Sequence, residues 1–167
     1  MSTVVPPAPT PFLTAPGEGE ALWFLDALAT VKAPAAATGS AVSITEFHAP
    51  RGHGSPLHRH RDEAEWWYVL DGELAVWADG TLVEASAGAF VFGPPGVPHT
   101  FEVVSPQARF LLGTAPGGFD GFLRAASEPA TARTLPPPGG GPPDPAVLAA
   151  RAAEFGIEIL GPPGIPA

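Results

Sequence analysis

From Glu20 onward Gly, Pro and Asp cut the chain into short apolar or alternating runs, and this close punctuation limits its fold more than any other feature. Runs this short do not wind into long helices. They suit antiparallel strands joined by tight turns, so the pattern predicts an all-β sandwich or barrel. The predicted strands cover residues 21–25, 28–33, 41–48, 56–60, 65–70, 73–78, 81–84, 89–92, 98–104 and 108–113. Asp71-Gly72 and Asp79-Gly80 are tight-turn signals, because Gly takes positive φ freely and Asp tolerates it; they join three of these strands into a meander. Residues 119–126 read as a short helix. Residues 145–155 read as a better one, with Asp144 as N-cap, Pro145 at the first position and Gly156 at the end.

Proline divides the chain. Of 23 Pro, 5 lie in residues 1–17 and 10 in 129–167, leaving 8 in the long middle stretch. This predicts a Pro-rich N-terminal segment (1–17), a barrel (18–128), and a Pro/Gly-rich linker with a C-terminal helix (129–167) docked on the barrel's outside. Residues 135–143 should be extended and polyproline-like. A hydrophobic content of 45%, with 10 Phe and 4 Trp, is ample for a core. The net charge of −9 opposes phosphate backbones and anionic lipid, so neither nucleic acid nor membrane is an expected partner. The first residues show no basic and apolar leader pattern, which predicts a cytoplasmic protein. There is no Cys, so disulfides, thiolate nucleophiles, Cys-bound zinc and Fe–S clusters are excluded, and any metal must be held by His and carboxylate.

Such a set exists. His58 and His60 are two apart on a predicted strand, so both project to one face. Glu65 follows; alternation puts Trp67 and Val69 on its face and Trp66, Tyr68 and Leu70 on the other, so a carboxylate heads an apolar inward row. Such a carboxylate needs a cation. His99 similarly heads the row Phe101 and Val103. Three His and one Glu aimed inward suit a single borderline divalent ion.

These residues fall in two motifs, Gly52-x5-His58-x-His60-x4-Glu65-x6-Gly72 and Gly88-x5-Pro94-x-Gly96-x2-His99, and on them the chain resembles the cupins. One position departs: where the family commonly has Asn four residues after the last His, this chain has Val103. The resemblance implies a single jelly-roll β-barrel with a short C-terminal helical tail, and one divalent transition metal (Fe, Mn, Ni, Co, Cu or Zn) on His58, His60, Glu65 and His99. More narrowly the chain is similar to bacterial quercetin 2,3-dioxygenase-like monocupins, including a looser match at Gly118-Phe119-Asp120-Gly121-Phe122. That similarity implies a dioxygenase acting with dioxygen on a small enolic or aromatic, flavonol-like substrate, with Glu65 both ligand and base. A metal-dependent isomerase, cyclase or lyase, and a non-catalytic small-molecule binder, remain the alternatives. Cupins often dimerise, and the apolar strands at 21–31 are the expected homodimer surface.

The neighbouring residues carry plainer expectations. His48 and His53 fit no motif position and read as ordinary surface or edge residues. Asp62 and Glu63 read as solvated loop charges, Glu63 being the substitute ligand should Glu65 not bind. Arg59 and Arg61 should point away from the ligands and pair on the surface. Phe47, Trp67, Phe92, Phe101 and Phe110 would line an aromatic pocket or fill the barrel core.

Overall fold

The computed structural model describes residues 8–139, 141 and 143–166. Along them run β1 (Glu20–Phe24), β2 (Ala27–Ala33), α1 (Ala35–Thr38), β3 (Ser43–Pro50), β4 (Pro56–His60), β5 (Ala64–Asp71), β6 (Glu73–Ala78), β7 (Thr81–Ser86), β8 (Phe90–Gly93), β9 (His99–Val103), β10 (Gln107–Ala115), α2 (Phe119–Ala126), β11 (Glu128–Pro129), α3 (Pro145–Glu154) and β12 (Ile157–Pro163). The strands form two antiparallel sheets, β11-β1-β2-β3-β10-β5-β8 and β12-β4-β9-β6-β7. This is the all-β architecture expected from the turn spacing, and it agrees with the jelly-roll that the resemblance implies. No helix among the described residues is long and apolar enough to cross a membrane.

Period-two alternation builds the interior. On β5 Glu65, Trp67 and Val69 are buried, while Trp66 is half-buried and Tyr68 and Leu70 are exposed. On β3 Ser43, Thr45, Phe47 and Ala49 turn inward. Phe47 stacks on Phe110 with ring centres 5.3 Å apart, and Phe101 meets Phe110 edge-on at 5.4 Å. These rings fill the space between the sheets.

Three features depart from the sequence reading. First, β5, β6 and β7 do not form a meander. Asp79-Gly80 closes a true hairpin between β6 and β7, but Asp71-Gly72 carries the chain from one sheet to the other, and β5 pairs with β10 and β8 instead. Gly72 has φ 80°, and a Cβ there would lie 2.4 Å from the Gln107 carbonyl oxygen, so the corner admits only glycine. Second, the tail is part of the barrel. β11 pairs with β1, and β12 pairs with β4, setting Ile157 opposite His60 and Ile159 opposite His58. The α3 helix forms as expected, its first turn capped by Asp144, which accepts from the Ala146 N–H at 2.8 Å. It packs against α2 and β12, with Ala152 fully buried. Third, the apolar strands over 21–31, expected to meet a second copy, are largely covered within the chain: β11 pairs with β1 at Leu22 and Trp23, and β2 is buried from Ala27 to Val31.

The N-terminal Pro-rich segment has no helix or strand over its described residues 8–17, and the Lys32 Nζ donates to the Ala15 and Glu18 carbonyls at 3.0 and 2.9 Å. The rest of that predicted segment lies outside the described residues.

Candidate metal centre

β4, β5 and β9 bring four side chains to one point. His58 and His60 leave the same face of β4, and the antiparallel register sets His99 directly opposite His58. Glu65 enters from β5 in the other sheet. All four are at most 5% exposed, and one ligand atom from each lies within 4.8 Å of the others. Glu65 Oε2 faces three imidazole nitrogens: Nε2 of His99 at 2.6 Å, of His60 at 3.3 Å and of His58 at 3.5 Å.

The outer ring nitrogens are held as well. The carbonyl oxygens of Pro56 and Val97 accept from Nδ1 of His58 and His99 at 2.8 Å each. A carbonyl only accepts, so these rings carry a proton on Nδ1 and turn Nε2 inward. His60 Nδ1 meets Glu63 Oε2 at 2.8 Å. A carboxylate or carbonyl behind each imidazole is the arrangement that orients histidines toward a metal.

The electrostatics fit a cation. Burial alone would raise the Glu65 carboxyl, but the charge of His60 and the close imidazole nitrogens of His58, His60 and His99 hold it well below its ordinary value. Burial disfavours the charged form of His60, yet Glu65 and Glu63 together outweigh it and raise that ring to about 9. Burial prevails at His58 and lowers it. His60 Nε2 is buried with no hydrogen-bond partner among the described residues, despite lying near Glu65. Three imidazole nitrogens and one carboxylate oxygen converging in this way form a donor set for a borderline divalent transition ion.

A cavity of about 40 Å³ reaches His58 and Glu65. Its wall is apolar and aromatic, with Phe24, Phe47, Phe101, Phe119, Phe122 and Ile157 among its members. An outer groove of about 890 Å³, bounded by the β1–β2 turn, the start of α3 and the end of β12, shares Leu25, His53, Gly54, Pro56, Leu148 and Ile159 with it. Phe119 on α2 lies 6.0 Å from the His60 ring, so the helix after the last predicted strand is part of the site's wall.

The four predicted ligands therefore come together. Of the five aromatic candidates, Phe47 and Phe101 border the cavity, and Trp67 and Phe110 are fully buried core. Phe92 does neither: it is 54% exposed, because β8 pairs with β5 in a register that sets Phe92 opposite outward-facing Trp66. Two plainer expectations also change. Glu63 is held against His60 and is not a solvated loop charge. His53 is 3% exposed, lines the cavity and is paired with Asp26, so it is no surface residue. Asp62 and Arg61 are exposed, and Arg59 pairs with Glu158 at 2.7 Å, as expected for residues turned away from the ligands. His48 is half-buried and meets Gln107 Oε1 at 2.9 Å, away from the centre. The His60-x2-Glu63 spacing was a visible signal for Glu63; nothing local linked His53 to Asp26.

Residues 45–112 match the cupin domain family. The chain is 31% identical over 134 residues to quercetin 2,3-dioxygenase of Bacillus subtilis (strain 168), an alignment covering 80% of this chain and 40% of that protein. It spans less than half the length of the curated relatives it matches. Among solved structures, KdgF from Halomonas sp. superposes with a TM-score of 0.58 at 16% identity, over 66% of this chain and 99% of that one. An RmlC-like cupin from Shewanella frigidimarina NCIMB 400 gives 0.56 at 16% identity, over 67% and 96%. At this identity the structural likeness speaks for the fold alone. With the fold, both motifs and the domain match in agreement, the chain carries a cupin domain.

Proposed function

We propose that this protein is a metal-dependent dioxygenase acting on a small enolic aromatic compound of the flavonol kind. The observation that carries the reading is the buried group of His58, His60, Glu65 and His99 at the inner end of an aromatic cavity. The likeness to a quercetin 2,3-dioxygenase over 80% of the chain supports it.

In this reading the three histidines and Glu65 hold one divalent ion. That ion supplies Lewis acidity toward an enolic oxygen and one-electron chemistry with dioxygen. The chain's own residues do the rest. The inner cavity takes the reacting end of the substrate together with dioxygen, and the groove takes the remainder of an aromatic ring system. Phe47, Phe101, Phe119 and Phe122 exclude water and offer ring faces to the substrate. An enol must also lose its proton to a base within reach, and two such groups border the cavity, Glu65 and His53. The net charge of −9 supports a small-molecule substrate over nucleic acid.

The test is reconstitution with Fe, Mn, Ni or Co and measurement of oxygen uptake with flavonols and simpler enolic aromatics. Uptake that tracks metal loading and vanishes in His58→Ala and His99→Ala is expected. Tight binding of such compounds without oxygen uptake overturns the dioxygenase reading. Turnover under strict anaerobiosis would place the protein among metal-dependent isomerases, cyclases or lyases.

A further inference from the structure

One titratable pair borders the cavity without belonging to the metal candidate. His53 lies in the loop between β3 and β4, and its Nδ1 is 2.5 Å from Asp26 Oδ1 in the turn between β1 and β2. The His53 side chain is 2% exposed and that of Asp26 57%. From β3 and β9 the ring meets Phe47 and Phe101, with ring centres 6.1 and 6.0 Å away, so Asp26 is its charged partner. With Nδ1 committed to the carboxylate, Nε2 is the nitrogen left for a ligand, and it has no hydrogen-bond partner among the described residues.

The position of the pair matters as much as its chemistry. His53 lines both the inner cavity, which reaches His58 and Glu65, and the outer groove. The ring is therefore shared between the groove and the space beside the candidate centre. Leu25, which also lines both spaces, holds a φ of 56°, an unfavourable conformation for a branched side chain, in the turn that presents Asp26. Glu65, the other group able to take a proton, has one oxygen facing three imidazoles at 2.6, 3.3 and 3.5 Å. A histidine backed by a carboxylate with its far nitrogen free is built for proton transfer.

We propose that His53 is the acid–base residue of this site: its Nε2 takes the enol proton of the bound substrate, while Asp26 orients the ring and balances the imidazolium. The proposal rests on the function proposed above and leaves Glu65 as a ligand. The step balances within the groups named. The enol O–H bond breaks, its electron pair stays on oxygen as an enolate, and an N–H bond forms on Nε2. Nδ1–H stays donated to Asp26 throughout. The proton returns from Nε2 to the product or leaves to water through the groove.

The competing account is that the pair only pins the loop before β4 to the β1–β2 turn. Metal-loaded wild type, His53→Gln and Asp26→Asn are compared with quercetin as the probe, without oxygen, following the separate absorption bands of the neutral and ionised flavonol across about pH 5 to 9. Metal content and circular dichroism serve as controls. Wild type is expected to hold the probe ionised near neutrality. His53→Gln is expected to keep its metal and bind the probe, with the ionisation midpoint moved up by at least about one pH unit, a tenfold change, and with oxygen-dependent turnover about 100-fold lower. Asp26→Asn should fall between. An unchanged ionisation profile in His53→Gln overturns the proposal and leaves the proposed function standing, with Glu65 as the base. Wild type that neither binds nor ionises the probe overturns the proposed function, and this proposal with it. Should His53→Gln fail to fold, Asp26→Asn in its exposed turn decides the question, an unchanged profile again overturning the role.

Discussion

Replacing Glu63 tests whether the second carboxylate at the centre acts through His60. Its Oε2 lies 2.8 Å from His60 Nδ1, the ring is 1% exposed and the Glu63 side chain 13%, so water screens little of the interaction. Its other oxygen is 3.4 Å from Thr114 Oγ1, and a Cβ on Gly118 would lie 2.7 Å from it, which leaves the carboxylate little freedom to move. Losing an outer carboxylate behind a ligand histidine costs about 10- to 100-fold in metal affinity, or about 1.4–2.7 kcal/mol. The burial and short contact put Glu63→Ala at the upper end, since the His60 N–H would lose its acceptor as well as its charge partner. Glu63→Gln keeps a neutral acceptor and belongs near the lower end. Chelator-competition titrations with Zn or Mn at fixed pH measure both, with circular dichroism to confirm the fold. Affinity within about twofold of wild type in Glu63→Ala would show that His60 needs no carboxylate behind it, and the reasoning would fail.

Three other outcomes are expected. Phe47→Ala, which removes a 1%-exposed ring stacked on Phe110, should cost about 3–5 kcal/mol in chemical denaturation, whereas Phe92→Ala, at 54% exposure, should stay within about 0.5 kcal/mol. Truncation after Phe155 removes β12 and leaves β4, which carries His58 and His60, without one of its partners; metal loading should fall and the melting temperature drop, and full metal content in the truncated chain would refute the role of β12. Finally, the hydrogen bond from His53 holds the Asp26 carboxyl below its ordinary value of 3.8, with burial opposing. A lowered carboxyl stabilises the fold above its unfolded-state value and loses that contribution as the pH falls through the folded-state value. Melting curves of wild type and Asp26→Asn should therefore converge below about pH 4, and an equal gap at all pH values would refute the tie.

Much of this protein was legible along the chain because its signals are local. Alternation on β5 correctly placed Glu65, Trp67 and Val69 inside and Tyr68 and Leu70 outside, and the same two-residue period put His58 and His60 on one face. Turn chemistry located the corners, and the Asp144-Pro145 pair located the start of α3. Those local rules also made the four candidate ligands recognisable before any contact between them was seen.

What the local rules could not supply was which strands pair. Turn residues mark where a chain bends but not which sheet it enters, so β5 left its expected meander at Gly72. β12 pairs with a strand about a hundred residues earlier, and the Gly161-Pro162-Pro163 end of its own run reads as a break and hides the strand. Register across β5 and β8 turned Phe92 to solvent. The burial of His53 depends on Asp26 from another turn, and the grip on His60 on where the loop sets Glu63. Sequence alone determined the strand alternation, the corners and the inward ligand set, since periodicity and turn conformation are properties of neighbouring residues. Only the tertiary structure decided the cavity wall, the pairing of His53 with Asp26 and the carboxylate behind His60, because each depends on contacts between segments that packing alone brings together.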